Sequence, residues 1–507
     1  MNKKYLILAG FILFKFILQY NLTDPVYDLH RDEFLHLDQA NHLAWGYMSV
    51  PPVTSWISWV IKLLGNSIFW IRFFPALFGA LTMLVVWKAI EELKGNLFAL
   101  ILGAVCITFS VLPRLNLLYQ PNSLDVLVWT FFYYSFIKYT NSKNTKWLFI
   151  AAITLALGFL NKYNVVFLLL GFLPALLLTE QRKVFAVPKL YVAALLGLLI
   201  VSPNLIWQYQ NDFPVFQHMK ELSERQLVHV KRSGFLSSQL FYFIGSLFVL
   251  ISALIAFILY KPFRKYQYFA WSFIFTLAVF LYFRAKGYYA IGLYPIYIAF
   301  GSVALSVLFK KKWTPFWQSV SIAVPVLFFI PILDVSYPNK TPEYIIQHTE
   351  KYKELGLLRW EDGKDHSLPQ DFADMLGWRE LAHKVDSLYT AIAPSGNTLV
   401  LCDNYGQVGA INYYTKAGVR AHSFNADYVN WFDLSKPYVN LIRVKDYDHD
   451  NKELQITAPY FETAMLVDSI ANPYAREYRT GIFSFTEAKI DIRKRIEQEI
   501  QETKKRE

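Results

Sequence analysis

Apolar runs close to twenty residues long, separated by short charged breaks, constrain this chain more than any other feature. They occupy 4–20, 67–89, 96–113, 123–139, 146–161, 163–179, 188–207, 236–260, 266–284, 288–308 and 315–335. A helix needs about 20 apolar residues to cross hydrocarbon, and a helix satisfies its own backbone there. The chain has 507 residues, 54% hydrophobic and 18% charged, whereas soluble domains carry about 25% charged residues. A polytopic α-helical membrane protein with about eleven transmembrane helices is therefore expected. The least secure division is 146–179, where only "NKYN" (161–164) interrupts the run and predicts a tight hairpin. The start, "MNKKYLILAGFILFKFILQYN", imitates a signal peptide but has no small-x-small cleavage site. It reads as a retained first span, with Lys15 snorkelling or facing other helices.

The net charge is +11, yet the basic residues sit mostly in short loops between spans. Orientation explains that placement better than nucleic-acid binding. With the N-terminus inside, the inner loops carry Lys3 and Lys4, Lys88 and Lys94, Lys138, Lys143 and Lys146, Arg182, Lys183 and Lys189, Lys261, Arg264 and Lys265, and Lys310 to Lys312. The opposite face carries polar segments rich in acids, histidines and aromatics. After about residue 336 the composition turns polar. "NTLVLCDNYGQVGAINYYTKAGV" reads as a buried strand, a Gly-containing turn and a helix. The division is thus a membrane domain over 1–335, with outer juxtamembrane helices at 32–64, and a soluble C-terminal α/β domain over 336–507. An odd number of spans puts the latter outside. Cys106 and Cys402 make no disulfide framework and no metal motif, and no internal repeat is visible.

The densest set of ionisable groups lies beside the first span, in "LHRDEFLHLDQANHLAWGYMSVPP" (29–52). A helix is favoured over 32–46, with Phe34, Leu35, Leu37, Leu43 and Trp45 making an apolar side for the membrane interface. Helical spacing sets Asp32 beside His36, and Asp38 beside His42. The bland alternative is a surface helix with solvated charges. Against a bilayer, however, ionisable residues are costly and by default functional. Two prolines then turn the chain into a second amphipathic segment, "VTSWISWVIKLLG".

An outer loop opening with "RDE", then "LDQANHLAWGY" and "PP", resembles the GT-C class of integral-membrane glycosyltransferases. The likeness is to the branch of protein O-mannosyltransferases and aminoarabinose transferases. It continues in order through "QPNSLDVLVW" (120–129), "LGFLNKYNVVFLLL" (157–170), "PNLIWQYQNDFPV" (203–215), "RAKGYYAIGLYPIYIAFG" (284–301), and "FADMLGWRELAHKV" (372–385) with "NYGQVGAINYY" (404–414). The resemblance covers most of the chain and points to a bacterial subgroup with a C-terminal outer domain.

The resemblance implies transfer of a hexosyl or pentosyl unit from a polyprenyl-phosphate donor to a protein, lipid or glycan acceptor. The site would lie on the outer face of the bacterial cytoplasmic membrane, in contact with membrane lipid. Such a step needs a carboxylate to take the acceptor's proton, a charge to support an oxocarbenium-like transition state, and cations for the leaving phosphate. By resemblance Asp32 is the general base. Glu33 is its neighbour for orientation or metal binding, or else a solvated companion. Asp125 is the second acid, or else a helix N-terminal carboxylate facing the dipole. Lys162 and Lys286, with Tyr288, Tyr289 and Arg284, are assigned to the donor phosphate, although lysine, arginine and tyrosine also serve as interfacial anchors. Arg31 and Arg114 are weaker candidates, and His218 and His229 read as ordinary surface residues.

Many relatives carry an acid or histidine just before the paired prolines, where this chain has Ser49 and Val50. That puts a bound divalent cation in doubt, although Glu33, His36, Asp38 and His42 could supply carboxylate and imidazole ligands. Tyr405, Gly406 and Gln407 open a helix that could face an anion, but no GxGxxG run supports a nucleotide site. A secondary transporter is the rival from another class; it predicts acids at mid-bilayer and repeat symmetry. A surface-polysaccharide polymerase or ligase is the nearer one.

Overall fold

The computed structural model describes residues 3–225, 227–309, 313–446 and 452–506. Lys310 to Lys312 and the side chain of His229 lie outside the described residues. Each of the eleven apolar runs is helical over most of its length, because each offers an apolar side chain on every face. Ile68–Glu92, Pro188–Gln210, Gly287–Leu308 and Thr314–Ser336 are long and apolar enough to cross a membrane unbroken. Two further pairs would do so only as bent elements. Val165–Leu177 with Glu180–Ala186 bends by 105°, and Arg232–Tyr242 with Ile244–Leu259 by 64°. The hairpin at "NKYN" is as expected, with one helix ending at Asn161 and the next starting at Val165.

Two predicted boundaries are corrected. The helix expected over 96–113 stops at Thr108. Ser110 there accepts from the Leu112 amide and the Val111 amide turns to the Tyr242 carbonyl, so the chain leaves the helical ladder before Pro113. The helix expected over 32–46 is only Arg31–Asp38, followed by one 3-10 turn to Asn41. The Tyr47 hydroxyl folds back onto the His42 carbonyl and the Ala44 amide, and those bonds hold the next residues in a compact loop.

The apolar side of that short helix does not lie on lipid. Phe34, Leu35 and Leu37 are buried, while only Leu43 and Trp45 stay exposed. The Phe34 ring packs edge-on against Trp378 and Tyr414, and tilted against Tyr413. Below it runs the Val53–Leu63 helix that follows the paired prolines. Its Ser58 hydroxyl donates to the His36 carbonyl at 2.6 Å. Lys15 faces other helices rather than snorkelling: it is buried, with Nζ 2.9 Å from Asn116 Oδ1 and 3.4 Å from Gln19 Oε1.

The C-terminal region holds a five-stranded mixed sheet of β1 (Thr398–Cys402), β2 (Ala421–His422), β3 (Asn440–Asp446), β4 (Phe461–Ser469) and β5 (Thr480–Ala488). Their order is β2-β1-β3-β5-β4. β1 runs parallel to β2 and β3, and β5 is antiparallel to β3 and β4. All five residues of β1 are buried, as the continuous apolar run "TLVLC" requires of a central parallel strand. One hydrophobic core joins this region to the membrane-side segments, uniting Leu29, Phe34, Ile71, Leu117 and Tyr119 with Trp378, Val400, Val408 and Ile442.

The contact between the Arg31–Asp38 helix and the Tyr405–Tyr414 helix is unusually close because "YGQVGA" presents glycines. A Cβ on Gly409 would sit 2.7 Å from Phe34 Cβ and 3.0 Å from its carbonyl carbon. A Cβ on Gly406 would sit 3.2 Å from Arg31 Cβ.

Candidate active site

His30 caps the Arg31–Asp38 helix: its side chain accepts from the Asp32 amide at 3.2 Å. The Glu33 carboxylate reaches back to the His30 amide at 2.7 Å, completing a capping box. This local geometry sends the two acids apart. Glu33 turns inward and is fully buried; its Oε1 lies 2.5 Å from Arg72 and accepts from the Tyr119 amide at 2.6 Å. It is neither solvated nor open to a ligand. A buried carboxylate paired in this way fixes the first loop to the "LLY" segment at 117–119.

Asp32 turns the other way. Its Oδ1 accepts from the Tyr405 hydroxyl at 2.7 Å and its Oδ2 from Gln120 Nε2 at 3.0 Å. Burial alone would raise its pKa. The nearby His30 and Arg31 and the Tyr405 hydroxyl outweigh that and hold it below the ordinary carboxylate value. An ionised, hydrogen-bonded carboxylate results.

From Gln120 a line of side chains leads to the cations. Asn122 Nδ2 donates to Gln120 Oε1 at 2.8 Å, and Lys162 Nζ donates to Asn122 Oδ1 at 2.7 Å. The lysine stands over two rings, 4.4 Å from the Tyr289 centroid and 5.3 Å from that of Tyr288. Burial pushes Lys162 down to about 8, against the pull of Asp125. Asp125 itself is buried and accepts from Asn164 Nδ2 at 2.9 Å and Trp129 Nε1 at 3.0 Å. Asn164 also reaches the Tyr289 carbonyl at 2.9 Å, so this acid braces the tyrosine pair rather than opening to solvent.

Lys286 lies on the rim. Its Nζ is 2.7 Å from Glu361 Oε1 in the C-terminal region. Arg284 does not join the group; it is exposed in a left-handed turn at φ 52°. Arg114 pairs with Asp371 at 2.8 Å. His218 is half-buried in the Pro214–Arg225 helix. The structure thus brings together Asp32, Lys162, Tyr288 and Tyr289, with Asp125 behind them and Lys286 at the edge.

The proposed metal ligands are scattered. His36 faces Gln39 at 3.5 Å, and Asp38 accepts from Asn41 and Asn412, each at 2.8 Å. His42 stacks on Trp431 at 4.2 Å and 5°, and Glu33 is taken by Arg72. Among the described residues no three His, Cys, Asp or Glu side chains gather as a metal site. Early truncation of the helix is the cause, because His42 falls beyond its last turn. Residues that sequence reasoning did not single out are Gln120, Asn122 and Arg72. The first two stand in the quoted "QPNSLD", but neutral amides carry no charge signal.

Residues 49–207 match the family described as dolichyl-phosphate-mannose-protein mannosyltransferase. Against ArnT from Cupriavidus metallidurans bound to undecaprenyl phosphate, the TM-score is 0.58 at 12% identity, over 95% of this chain and 97% of that one. The chain carries the GT-C fold. The apo form of the same ArnT gives a TM-score of 0.57. In sequence, 226 residues are 28% identical to the lipid A galacturonosyltransferase RgtD of Rhizobium johnstonii, covering 43% of this chain. The chain spans about half the length of that curated relative, 46%. The matched family and the curated relative are both described as glycosyltransferases, and the likeness to ArnT extends over the helical body and the C-terminal region alike. The stretch matched to the family contains Gln120, Asn122, Asp125 and Lys162.

Proposed function

We propose that this chain transfers a sugar from a polyprenyl-phosphate donor to an acceptor at the outer face of a bacterial cytoplasmic membrane, with Asp32 as general base. The observation that carries the reading is the unbroken polar line Asp32–Gln120–Asn122–Lys162. It sets a candidate base and a candidate phosphate cation at two ends of one short span.

In the reaction, an acceptor hydroxyl or amine takes the place of Tyr405 or Gln120 on Asp32. Its proton passes to the carboxylate as its heteroatom bonds to the anomeric carbon. The bond from that carbon to the phosphate oxygen breaks, and the electron pair leaves with the lipid phosphate. Lys162, the Tyr288 and Tyr289 hydroxyls and Lys286 stabilise the developing phosphate charge. A carboxylate near the anomeric centre also supports its oxocarbenium character. The carrier's tail remains in lipid, which accounts for a site at the end of the helix bundle. About eleven spans, a cytoplasmic N-terminus and an outer C-terminal domain complete the reading, supported by the basic residues of alternate loops.

The test is transfer from a radiolabelled polyprenyl-phosphate sugar by wild type and Asp32→Asn. Loss of turnover with donor binding retained supports Asp32 as base; turnover at the wild-type rate removes it from that role.

A further inference from the structure

Arginines around the candidate site are paired with carboxylates: Arg72 with Glu33, Arg114 with Asp371, Arg379 with Asp28 and Arg476 with Asp374. Arg31 is different. Among the described residues its guanidinium makes no hydrogen bond and no ion pair, and its Nε is buried without a partner. A guanidinium presents five donors, and leaving them unused in a half-buried position is costly. The carboxylates that feel its charge are engaged elsewhere. Asp32 is held by Tyr405 and Gln120, Asp374 by Arg476, and Glu477 by Asn404, Gln407 and Thr480.

The side chain is nonetheless held in place. Its guanidinium carbon lies 4.5 Å from the centroid of the Tyr405 ring, a cation–π contact. Its main-chain amide donates to the Asp374 carbonyl at 3.1 Å, and Gly406 packs on its Cβ. An arginine fixed in this way with its fork unspent is preorganised for an oxyanion.

The two oxygens of Asp32 show which substrate that oxyanion belongs to. Oδ2 faces Gln120, Asn122 and Lys162, the side on which the donor's phosphate and lipid tail would lie. Oδ1 faces Tyr405, and Arg31 lies against the face of that ring. In an in-line displacement the nucleophile attacks the anomeric carbon on the face opposite the leaving phosphate, so with the donor on the Oδ2 side its proton reaches Asp32 from the Oδ1 side. That side is the Tyr405 and Arg31 wall.

We propose that Arg31 and Tyr405 form an acceptor subsite, in which the guanidinium binds a phosphate or carboxylate carried by the acceptor and so aims its nucleophile at Asp32. This rests on the reading of Asp32 as base given above. The acceptor class it selects is an anionic glycan or lipid headgroup rather than a neutral sugar.

The test uses the full chain in lipid nanodiscs and three probes: inorganic phosphate, glucuronate and undecaprenyl phosphate. Wild type and the Lys162→Gln/Lys286→Gln double variant are expected to bind one of the soluble anions saturably, with at least tenfold weaker binding in Arg31→Gln. Arg31→Lys keeps the charge and the ring contact but loses the fork. It should melt like wild type while binding the anion several-fold more weakly. Undecaprenyl phosphate should bind Arg31→Gln as it binds wild type. Preference for phosphate marks a phosphorylated acceptor, and preference for glucuronate a uronic acid. Soluble anion binding unchanged in both Arg31 variants overturns the proposal, as does a proportional loss of undecaprenyl phosphate. If wild type binds the soluble anion through Arg31 but not undecaprenyl phosphate, the donor reading fails and the anion site stands.

Discussion

The Tyr405 hydroxyl donates to Oδ1 of Asp32 at 2.7 Å, across 373 residues of chain. A hydrogen bond to the charged form lowers a carboxyl pKa, so its removal raises that pKa. Tyr405→Phe is therefore expected to move the acid limb of the kcat/KM profile to higher pH. The rate at the plateau should fall about tenfold, since the carboxylate loses its orientation but not its charge. A pH–rate series on the purified protein decides this.

Gly409 sets the distance between the Tyr405–Tyr414 helix and Phe34. Gly409→Val would drive a side chain into the Phe34 backbone and push the helix outward, separating Tyr405 from Asp32. Turnover should drop by more than the Tyr405→Phe variant shows, because Arg31 loses its ring partner as well. The comparison needs only the two variants and one transfer assay.

Glu33 and Asp32 are neighbours with opposite sensitivities. Removing Glu33 leaves Arg72 and the Tyr119 amide unpaired in a buried setting, a loss of about 3–5 kcal/mol by the usual cost of breaking such a pair. Glu33→Ala should therefore lower the melting temperature sharply. In Asp32→Asn the amide oxygen still accepts from Gln120 and the amide nitrogen donates to the Tyr405 oxygen, so it should melt close to wild type. Thermal melts in detergent separate the two.

The rim bridge between Lys286 and Glu361 is partly exposed, and pairs of that kind contribute little to stability. Glu361→Gln should leave the melting temperature unchanged. It should tighten binding of undecaprenyl phosphate several-fold, because the Glu361 charge no longer competes with phosphate for the lysine. Weaker binding in this variant would remove Lys286 from the donor's phosphate group.

Two buried groups in the C-terminal region respond to acid in opposite senses. Burial pushes His422, stacked on Phe432, down to about 4, and pushes Asp427 up to about 6. Between pH 6.5 and 4 the unfolded chain binds more protons at His422, so that contribution to stability is lost as pH falls. Between pH 6 and 3.8 the folded chain holds more protons at Asp427, so stability is gained as pH falls. Each amounts to about 3 kcal/mol over its window, and in wild type they offset. Asp427→Asn should become more acid-sensitive than wild type and His422→Gln less so, read from melting temperatures at pH 7.5 and 4.5.

Much of this architecture is legible in the chain. The apolar runs fix where the helices lie because length and hydropathy alone decide that. "NKYN" marks a hairpin by polarity, and "NTLVLCDNYGQVGAINYY" marks a strand and helix by a change of period. What escapes the sequence is long-range. Nothing local announces that Phe34 packs on Trp378 and Tyr413 rather than on lipid, since either surrounding satisfies an apolar ring. Gln120 and Asn122 are invisible for a different reason: their importance lies in being 2.8 Å apart between two charged groups. Asp38 and His42 do not share a face because four-residue spacing matters only while the helix lasts, and it ends at Asp38.

The core shared by the loop after the first helix and the C-terminal sheet also has a temporal meaning. Asp32 leaves the ribosome 373 residues ahead of Tyr405, and the long apolar helices from Ile68–Glu92 to Thr314–Ser336 are all made in between. The carboxylate thus waits through most of translation without the partner that completes its surroundings. The pairing of Asp32 with Tyr405 therefore arrives as a late step of biogenesis, and a chain cut short after Ser336 would carry the acid with that partner missing.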